Sequence, residues 1–582
     1  MQIFTTKSRR RGAGHALLMT LVMTGVALVT LAGILSYSSS TARMNYRANE
    51  YNRAVGAAEA ATEKVLAQIS RDYVQGGEAL VNLNLSTYAG TVPTTADSSY
   101  WNGWEFTDAM GNSGKTFVAP GAPSSYTVLN SAYSGLRGYA TTYTLVSNAH
   151  ETSAPQDVVG GVLQQIQLAR VPIFQFGMYS SGDMEISCGQ PFTITGRVHS
   201  NGQLYIEPDN LLTFQKDVTA VGSILFQRSP NDSRTPPVGS VVYMAHKDAH
   251  VAALTLPIGV SNSPTAVREI IEPPPPLESS SSLIGRQRYF NLTDMMLVVT
   301  NGGGTTGVLA TSGKFNNFAT LISTNEVKSF VSTSSSFWDA REGKTVQAID
   351  IDIGALTTWS GVNTNLRPVL GGRDVSSIYV WDKRTLPGTS LGAVRLKNGK
   401  QLPSLGLTVA TADPLYVWGH YNQYSDANLG TTNTSTTRPA SIAADAITIL
   451  SVNWSDLLSS GLVALRIAGS TTVNAAFLAG SVDTANGNYG GGMENFPRFL
   501  ESWGLLNVCT YNGSMVKLFP SLYATNIWGS ANVYDPPSRN WAYDINFDDA
   551  TKLPPLTPGV LKVVRGLWAT TAPNTTNAPA AN

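Results

Sequence analysis

The chain has 582 residues, more than one small domain uses and enough for two to four. Its 39 basic and 39 acidic side chains cancel, so no positive excess is available for phosphates, and nucleic acid is excluded as a partner class. Charged residues make up 13% of the chain, about half the usual share for soluble domains. Gly, Ser, Thr and Asn take their place, a texture that suits turn-dense β structure with a neutral polar surface.

In chain order, the first feature is a short basic leader carrying Lys7, Arg9, Arg10 and Arg11, followed by Gly12, Ala13, Gly14 and His15. The twenty residues from Ala16 to Leu35, ALLMTLVMTGVALVTLAGIL, hold no charge. As a helix they span about 30 Å, the thickness of a bilayer core. Ala16, Leu17, Leu18, Leu21, Val22, Val26, Leu28, Leu31, Ile34 and Leu35 are the expected lipid-facing anchor. The arginines keep the preceding end in the cytoplasm, so the expected location is the inner membrane, with the bulk periplasmic or on the cell surface.

A secretory signal peptide has a shorter apolar core that ends at a small-residue cleavage site. Here the pattern continues, with no Pro before Pro93. Ala54, Ala57, Ala58, Ala61, Val65 and Ile69 recur at three- and four-residue steps, while Arg43, Arg47, Glu50, Arg53, Glu59 and Glu63 fit a wetter face. One long helix is expected over 15–76, with its membrane part at 16–35, ending near Gly76 and Gly77.

The basic leader, a Gly directly before the apolar run and a helix that outlasts the membrane resemble the type IV pilin and pseudopilin superfamily. Within it, G-x-A-L-L from Gly14 to Leu18 and A-x-x-A-A-E-A from Ala54 to Ala60 look most like PilX-type minor pilins. The resemblance implies that a prepilin peptidase removes residues 1–14 by cutting after Gly14 and exposing His15, the alternative being a cut after Gly12 that exposes Ala13. It also implies packing against other pilin-like subunits. Major pilins carry a Glu five residues into the mature chain to pair with a neighbour's terminal amine. Here that position is Met19, or Leu17 for the earlier cut. A buried ammonium without its partner costs several kcal/mol, so the departure implies a tip or initiating subunit. A plain signal-anchor helix is the competing reading.

Beyond the helix, residues 77–170 read as a small pilin-like β domain, with strand-like runs at Tyr139 to Val146 and Val158 to Leu168. From Val171 short apolar runs alternate with Gly, Asn, Asp and Ser. Five have the same outline of a β run, a small-residue bend and a second β run: GRVHSNGQLYI, KDVTAVGSILF, LTVATADPLYVWG, ASIAADAITIL and VNAAFLAGSV. No single unit of that kind buries its own core, so stacked rungs are expected.

The fold class is therefore α+β, mostly β: a long N-terminal transmembrane helix, a small antiparallel sheet, then a β-solenoid or β-helix-like body. A sandwich of unrelated hairpins is the alternative. The body divides into a first solenoid part (171–272), a Pro/Ser linker forming an extended, solvated crossing (273–283), a β insertion (284–400) and a second solenoid part (401–569). Residues 570–582 read as a disordered tail. The segments FQFGMYSSGDMEI (Phe174 to Ile186) and VHSNG (Val198 to Gly202) resemble large bacterial pilin-like proteins that join such a helix to a β-rich body.

Candidate chemistry is sparse. Cys188 and Cys509 offer one disulfide or two separate thiols. Asp544, Asn546 and Asp548 open like a calcium loop, but Asp549 and Pro555 stand where an EF-hand needs Gly and Glu, so they are weak metal candidates. His246 and His250 would converge only in a helix, within β-like sequence. His199 and His420 sit at bends, where satisfying backbone groups is the expected role. Asp350 and Asp352 alternate on a strand and read as its solvated face, although paired acids can serve glycosidic chemistry. No cofactor is expected.

These features predict a non-enzymatic minor pilin-like or pseudopilin-like subunit of a type IV pilus-type fibre, structural or adhesive, with a glycan or surface ligand. A membrane-tethered polysaccharide hydrolase or lyase, and an envelope structural protein that never enters a filament, are the rivals.

Overall fold

The computed structural model describes residues 13–129, 135–302, 305–311, 322–504, 506–529 and 533–572. The leader through Gly12 and the end of the expected tail, 573–582, lie outside the described residues.

A helix runs from Ala13 to Leu83, without a break at Ser36 to Thr41. It does not stop at Gly76. Gly77 adopts φ 65°, a conformation that costs glycine little, and the helix resumes beyond it. Ala54, Ala57, Ala58, Ala61, Val65 and Ile69, the expected apolar stripe, are all buried. The surface they cover is a sheet ordered Trp104–Thr107, Arg137–Glu151, Gly160–Pro172 and Gly559–Thr571, with Phe117–Pro120 and Ser125–Val128 also paired to Arg137–Glu151.

The last strand of that sheet is unexpected. Gly559–Thr571 comes from the far end of the chain and pairs antiparallel with Gly160–Pro172, from Gly559 opposite Pro172 to Thr571 opposite Gly161. The second body part thus does not extend to 569, and the tail boundary at 570 falls inside a strand.

The body is built from parallel strands stacked in register. All five bend-containing runs form two strands each: Arg197–Ser200 with Leu204–Ile206, Val218–Ala220 with Ile224–Leu225, Leu407–Thr411 with Leu415–Trp418, Ala440–Ala444 with Ile447–Leu450, and Thr471–Asn474 with Ala476–Ser481. Identical registers put apolar residues in columns. One column joins Met295, Ile378, Val409, Ile442, Phe477, Met515, Met178, Val198 and Val218, and every member is buried. A second joins Met184, Leu204 and Ile224.

The bends stack as well. Gly202 N–H donates to Gly182 O at 3.1 Å, and Gly222 N–H donates to Gly202 O at 2.9 Å. A Cβ on Gly202 would lie 2.6 Å from the Asp183 nitrogen, which explains the glycine in VHSNG. In the later coils an amide ladder does the same work: Asn512 Nδ2 donates to Asn474 Oδ1 (2.8 Å), and Asn474 Nδ2 donates to Asn422 O (3.0 Å).

The order of that first column gives the path of the chain. Phe176–Ser180 enters in the middle of the stack. Successive coils lead to one end, at Ser240–Tyr243 and Lys247–Asp248. The chain then crosses to the other end, near Met295–Gly302, and winds back until Met515–Pro520 pairs with Phe176–Ser180. The segment 284–400 is therefore not a decoration. Its strands Met295–Gly302, Lys344–Asp352, Ser377–Asp382 and Leu391–Lys397 continue the parallel ladders.

The Pro/Ser segment 273–283 is half-buried or exposed throughout, but it passes through turns and is pinned on both flanks. Arg288 is buried and pairs with Glu278 (2.5 Å) and Glu269 (2.5 Å), and Tyr379 Oη donates to Ile271 O (2.7 Å). Arg268, on the short helix Pro264–Arg268, reaches Asp445 at 2.6 Å. Asp445 is fully buried at a coil bend and also accepts the N–H groups of Leu522 (2.6 Å), Tyr523 (3.1 Å) and Ala524 (2.9 Å). Replacing Asp445 with Ala strands three backbone donors and takes from the buried Arg268 guanidinium one of its two carboxylates, leaving it Glu272. The expected loss is about 3–5 kcal/mol of stability, measured by urea unfolding; a loss below about 1 kcal/mol would remove Asp445 as the pin between crossing and stack.

Candidate functional site

The helix is the feature that the rest of the fold leaves unused. From His15 to Ser40 every side chain is exposed, including Leu17, Leu18, Leu21, Val22, Val26, Leu28, Leu31, Ile34 and Leu35. Large apolar side chains exposed over so long a helix mark a surface meant for lipid or another helix. The span contains three threonines, and each satisfies its hydroxyl internally. Thr20 Oγ1 donates to Ala16 O (3.0 Å), Thr24 Oγ1 to Thr20 O (2.6 Å) and Thr30 Oγ1 to Val26 O (2.8 Å). With no charge between Ala16 and Leu35, the helix meets the requirement that polar groups within a bilayer core be satisfied by the chain itself. Length and composition make it a candidate membrane span.

Between His15 and Arg53 the helix projects about 60 Å from the body. Its attachment is closely packed. Gly160 approaches so closely that an added Cβ would lie 2.5 Å from the Val55 nitrogen, and the facing helix residues Ala54, Ala57, Ala58 and Ala61 are all small. Ion pairs flank this contact: Arg53 with Glu151 (3.0 Å), Lys64 with Asp97 (2.6 Å), and Glu63 with Arg565 of the last strand (2.7 Å). Gly14 and His15 lie in the first turns of the helix.

The other sequence candidates do not converge. Cys188 and Cys509, read as one disulfide or two separate thiols, are both buried and free in this structure; burial pushes both thiols up to about 12. His246 and His250 are exposed, and His250 has φ 59°, so they share no helix face. His420 Nδ1 accepts from Thr472 N–H, the expected bend role. His199 differs: it is fully buried, bonds the side chains of Thr219 (2.8 Å) and Asn201 (3.0 Å), and stacks on Tyr179.

Asp350 is not on a solvated face. It is buried beside Arg395, which lies on the neighbouring strand and also pairs with Asp456, while Asp352 caps the helix Ile353–Val362. Among the described residues no group of three His, Cys, Asp or Glu is placed to hold a metal. Asp544 accepts from Thr434 Oγ1 (2.7 Å) and Asn546 N–H (3.1 Å), and Asp548 accepts from Tyr543 Oη (2.9 Å). Burial pushes the Asp544 carboxyl up.

Sequence reading also missed a cluster that ties the two halves of the stack. Glu207, fully buried, accepts from Ser229 N–H (2.8 Å) and pairs with Arg234 (3.2 Å) and Arg228 (3.5 Å). Burial and then Glu185 push its carboxyl up to about 7. Ser233 Oγ in the same loop donates to Gly487 O (2.6 Å), and Thr484 Oγ1 donates to Glu185 (2.5 Å). Only the coil register brings these residues together, so no local motif announces them.

No family model matches the chain, and no curated protein matches it. Among solved structures, the crystal structure of competence-associated pilin ComZ from Thermus thermophilus is similar at 10% identity and a TM-score of 0.28, with 98% of this chain and 99% of that chain covered. A TM-score that low does not establish a shared fold.

Burial lowers the His199 imidazole to about 4, against an ordinary value near 6.5. Above pH 6.5 both folded and unfolded chains hold it neutral, and it carries no penalty. As pH falls from 6.5 to 4 only the unfolded chain takes up the proton, so stability drops by about 3 kcal/mol across that window. Urea unfolding at pH 7.5 and 4.5 should show a smaller acid-side loss for His199→Gln than for the parent chain. Equal losses would assign the acid sensitivity elsewhere.

Proposed function

We propose that the chain is a pilin-like surface subunit, anchored in the inner membrane by Ala16 to Leu35 and presenting its β body outward. The observation that carries this reading is the helix: uncharged for the thickness of a bilayer, burying nothing until residue 54, and continuous into the body. A helix meant only for the protein core would bury one face along its length. A bare anchor would not need about 30 Å of further stiff helix between membrane and body.

The reading extends the helix into a type IV pilus-type fibre, where its apolar face packs on other pilin-like subunits after prepilin peptidase removes residues 1–14. Met19 stands where a shaft subunit supplies a carboxylate, which suits a tip or initiating position that occurs once per fibre. We read the register-stacked coils as a β-solenoid, a rigid platform whose flanking loops bind a glycan or surface. The role is structural and adhesive rather than catalytic.

The mature chain should begin at His15 by mass spectrometry. Gly14→Val should retain the leader, run more slowly on a gel, and disappear from fibres sheared off cells. Parent chain that keeps residues 1–14, or that remains wholly with the membrane after shearing, would overturn the filament role.

A further inference from the structure

Where the sequence offered Asp544 and Asn546 to a cation, the fold sets them in the wall of a cavity of about 320 Å³, near the small end of the range for small-molecule sites. Arg438 and Lys552 line the same cavity. Arg438 lies 5.5 Å over the Tyr424 ring, and Lys552 Nζ donates to Asn546 Oδ1 at 3.1 Å. Neither cation has a salt bridge among the described residues. Both are exposed, whereas the nearby carboxylates are already engaged: Asp548 by the Tyr543 hydroxyl and Asp549 by Thr551. A metal ion entering here would meet two positive side chains and one carboxylate whose inner oxygen is occupied. The cavity lining itself carries two positive side chains against one carboxylate, a balance that favours an anion over a cation.

The remaining lining narrows the class. Ser404, Ser435, Thr437 and Thr551 add hydroxyls, and Leu405, Pro439 and Phe547 add an apolar side. A ligand that satisfies all of this needs a negative group for Arg438 and Lys552, hydroxyls that donate to Asp544 and exchange bonds with Ser and Thr, and a C–H face for the apolar side. Inorganic phosphate has the charge and a P–OH to donate, but no C–H face. A neutral sugar has only the last two. We infer that this cavity is a binding site for an acidic saccharide, a sugar unit that bears a carboxylate. The inference takes from the preceding reading only that the body faces the cell exterior. It is tested on the purified chain, so its failure does not bear on membrane anchoring or filament entry.

The full chain in detergent micelles is titrated calorimetrically with trigalacturonate, with the matching neutral galactotriose and with inorganic phosphate. Trigalacturonate should bind at least about tenfold more tightly than either control, weakening as salt rises. The Arg438→Ala/Lys552→Ala double variant, altered only at exposed side chains, should lose about tenfold or more while its thermal unfolding is unchanged. Galactotriose or phosphate binding as tightly as trigalacturonate, no saturable uronate binding, or full affinity in the double variant would each overturn the assignment.

Discussion

The molecule depends on one seam. Phe176–Ser180 lies beside Met515–Pro520 in a parallel ladder, with Met178 opposite Met515. A parallel strand cannot satisfy its backbone through a local turn, so each side of the seam needs the other. Ser181 N–H bonds Lys517 O, and Ser514 Oγ bonds Phe176 O across the same line. Coils on either side are nearest-neighbour structures, each covering the apolar row of the next. At the seam the stack pairs with a part of itself more than three hundred residues away, and there two half-stacks become one column of buried side chains.

That arrangement explains where the charges went. With 13% charged residues, the chain places a notable share of them inside: Asp445, Glu207, Glu494, Asp350 and Arg395 are all buried. Buried ion pairs add little net stability compared with well-packed apolar groups, but they penalise wrong alignments heavily. A stack of near-identical coils is open to register slips, because one row of Val and Ile fits another almost as well. Pairs such as Arg395 with Asp350 and Arg268 with Asp445 are met in a single register only.

The sequence was most legible where the physics is local. The helix follows from its charge-free run and its alanine stripe; the stripe is buried against the sheet and the run is exposed. The five bend-linked runs were readable because each carries its own turn residues and its own alternation. The path was not readable, since nothing near Met178 marks Met515 as its neighbour. Asp350 was misread for the same reason: a carboxylate on a strand looks solvated until the next coil brings an arginine. Asp544 and Asn546 read in sequence as weak metal candidates; Lys552, six residues beyond Asn546, was in plain view, but Arg438 reaches the same cavity only through the fold.

The sheet beneath the helix is completed by Gly559–Thr571, while the helix itself belongs to the first residues synthesised. A chain made from its amino end holds the helix long before the strand that finishes the neighbouring sheet exists. Until then Gly160–Pro172 keeps a bare edge. A chain cut short anywhere in the body would display that edge permanently, so a covered edge reports that synthesis has reached the far end.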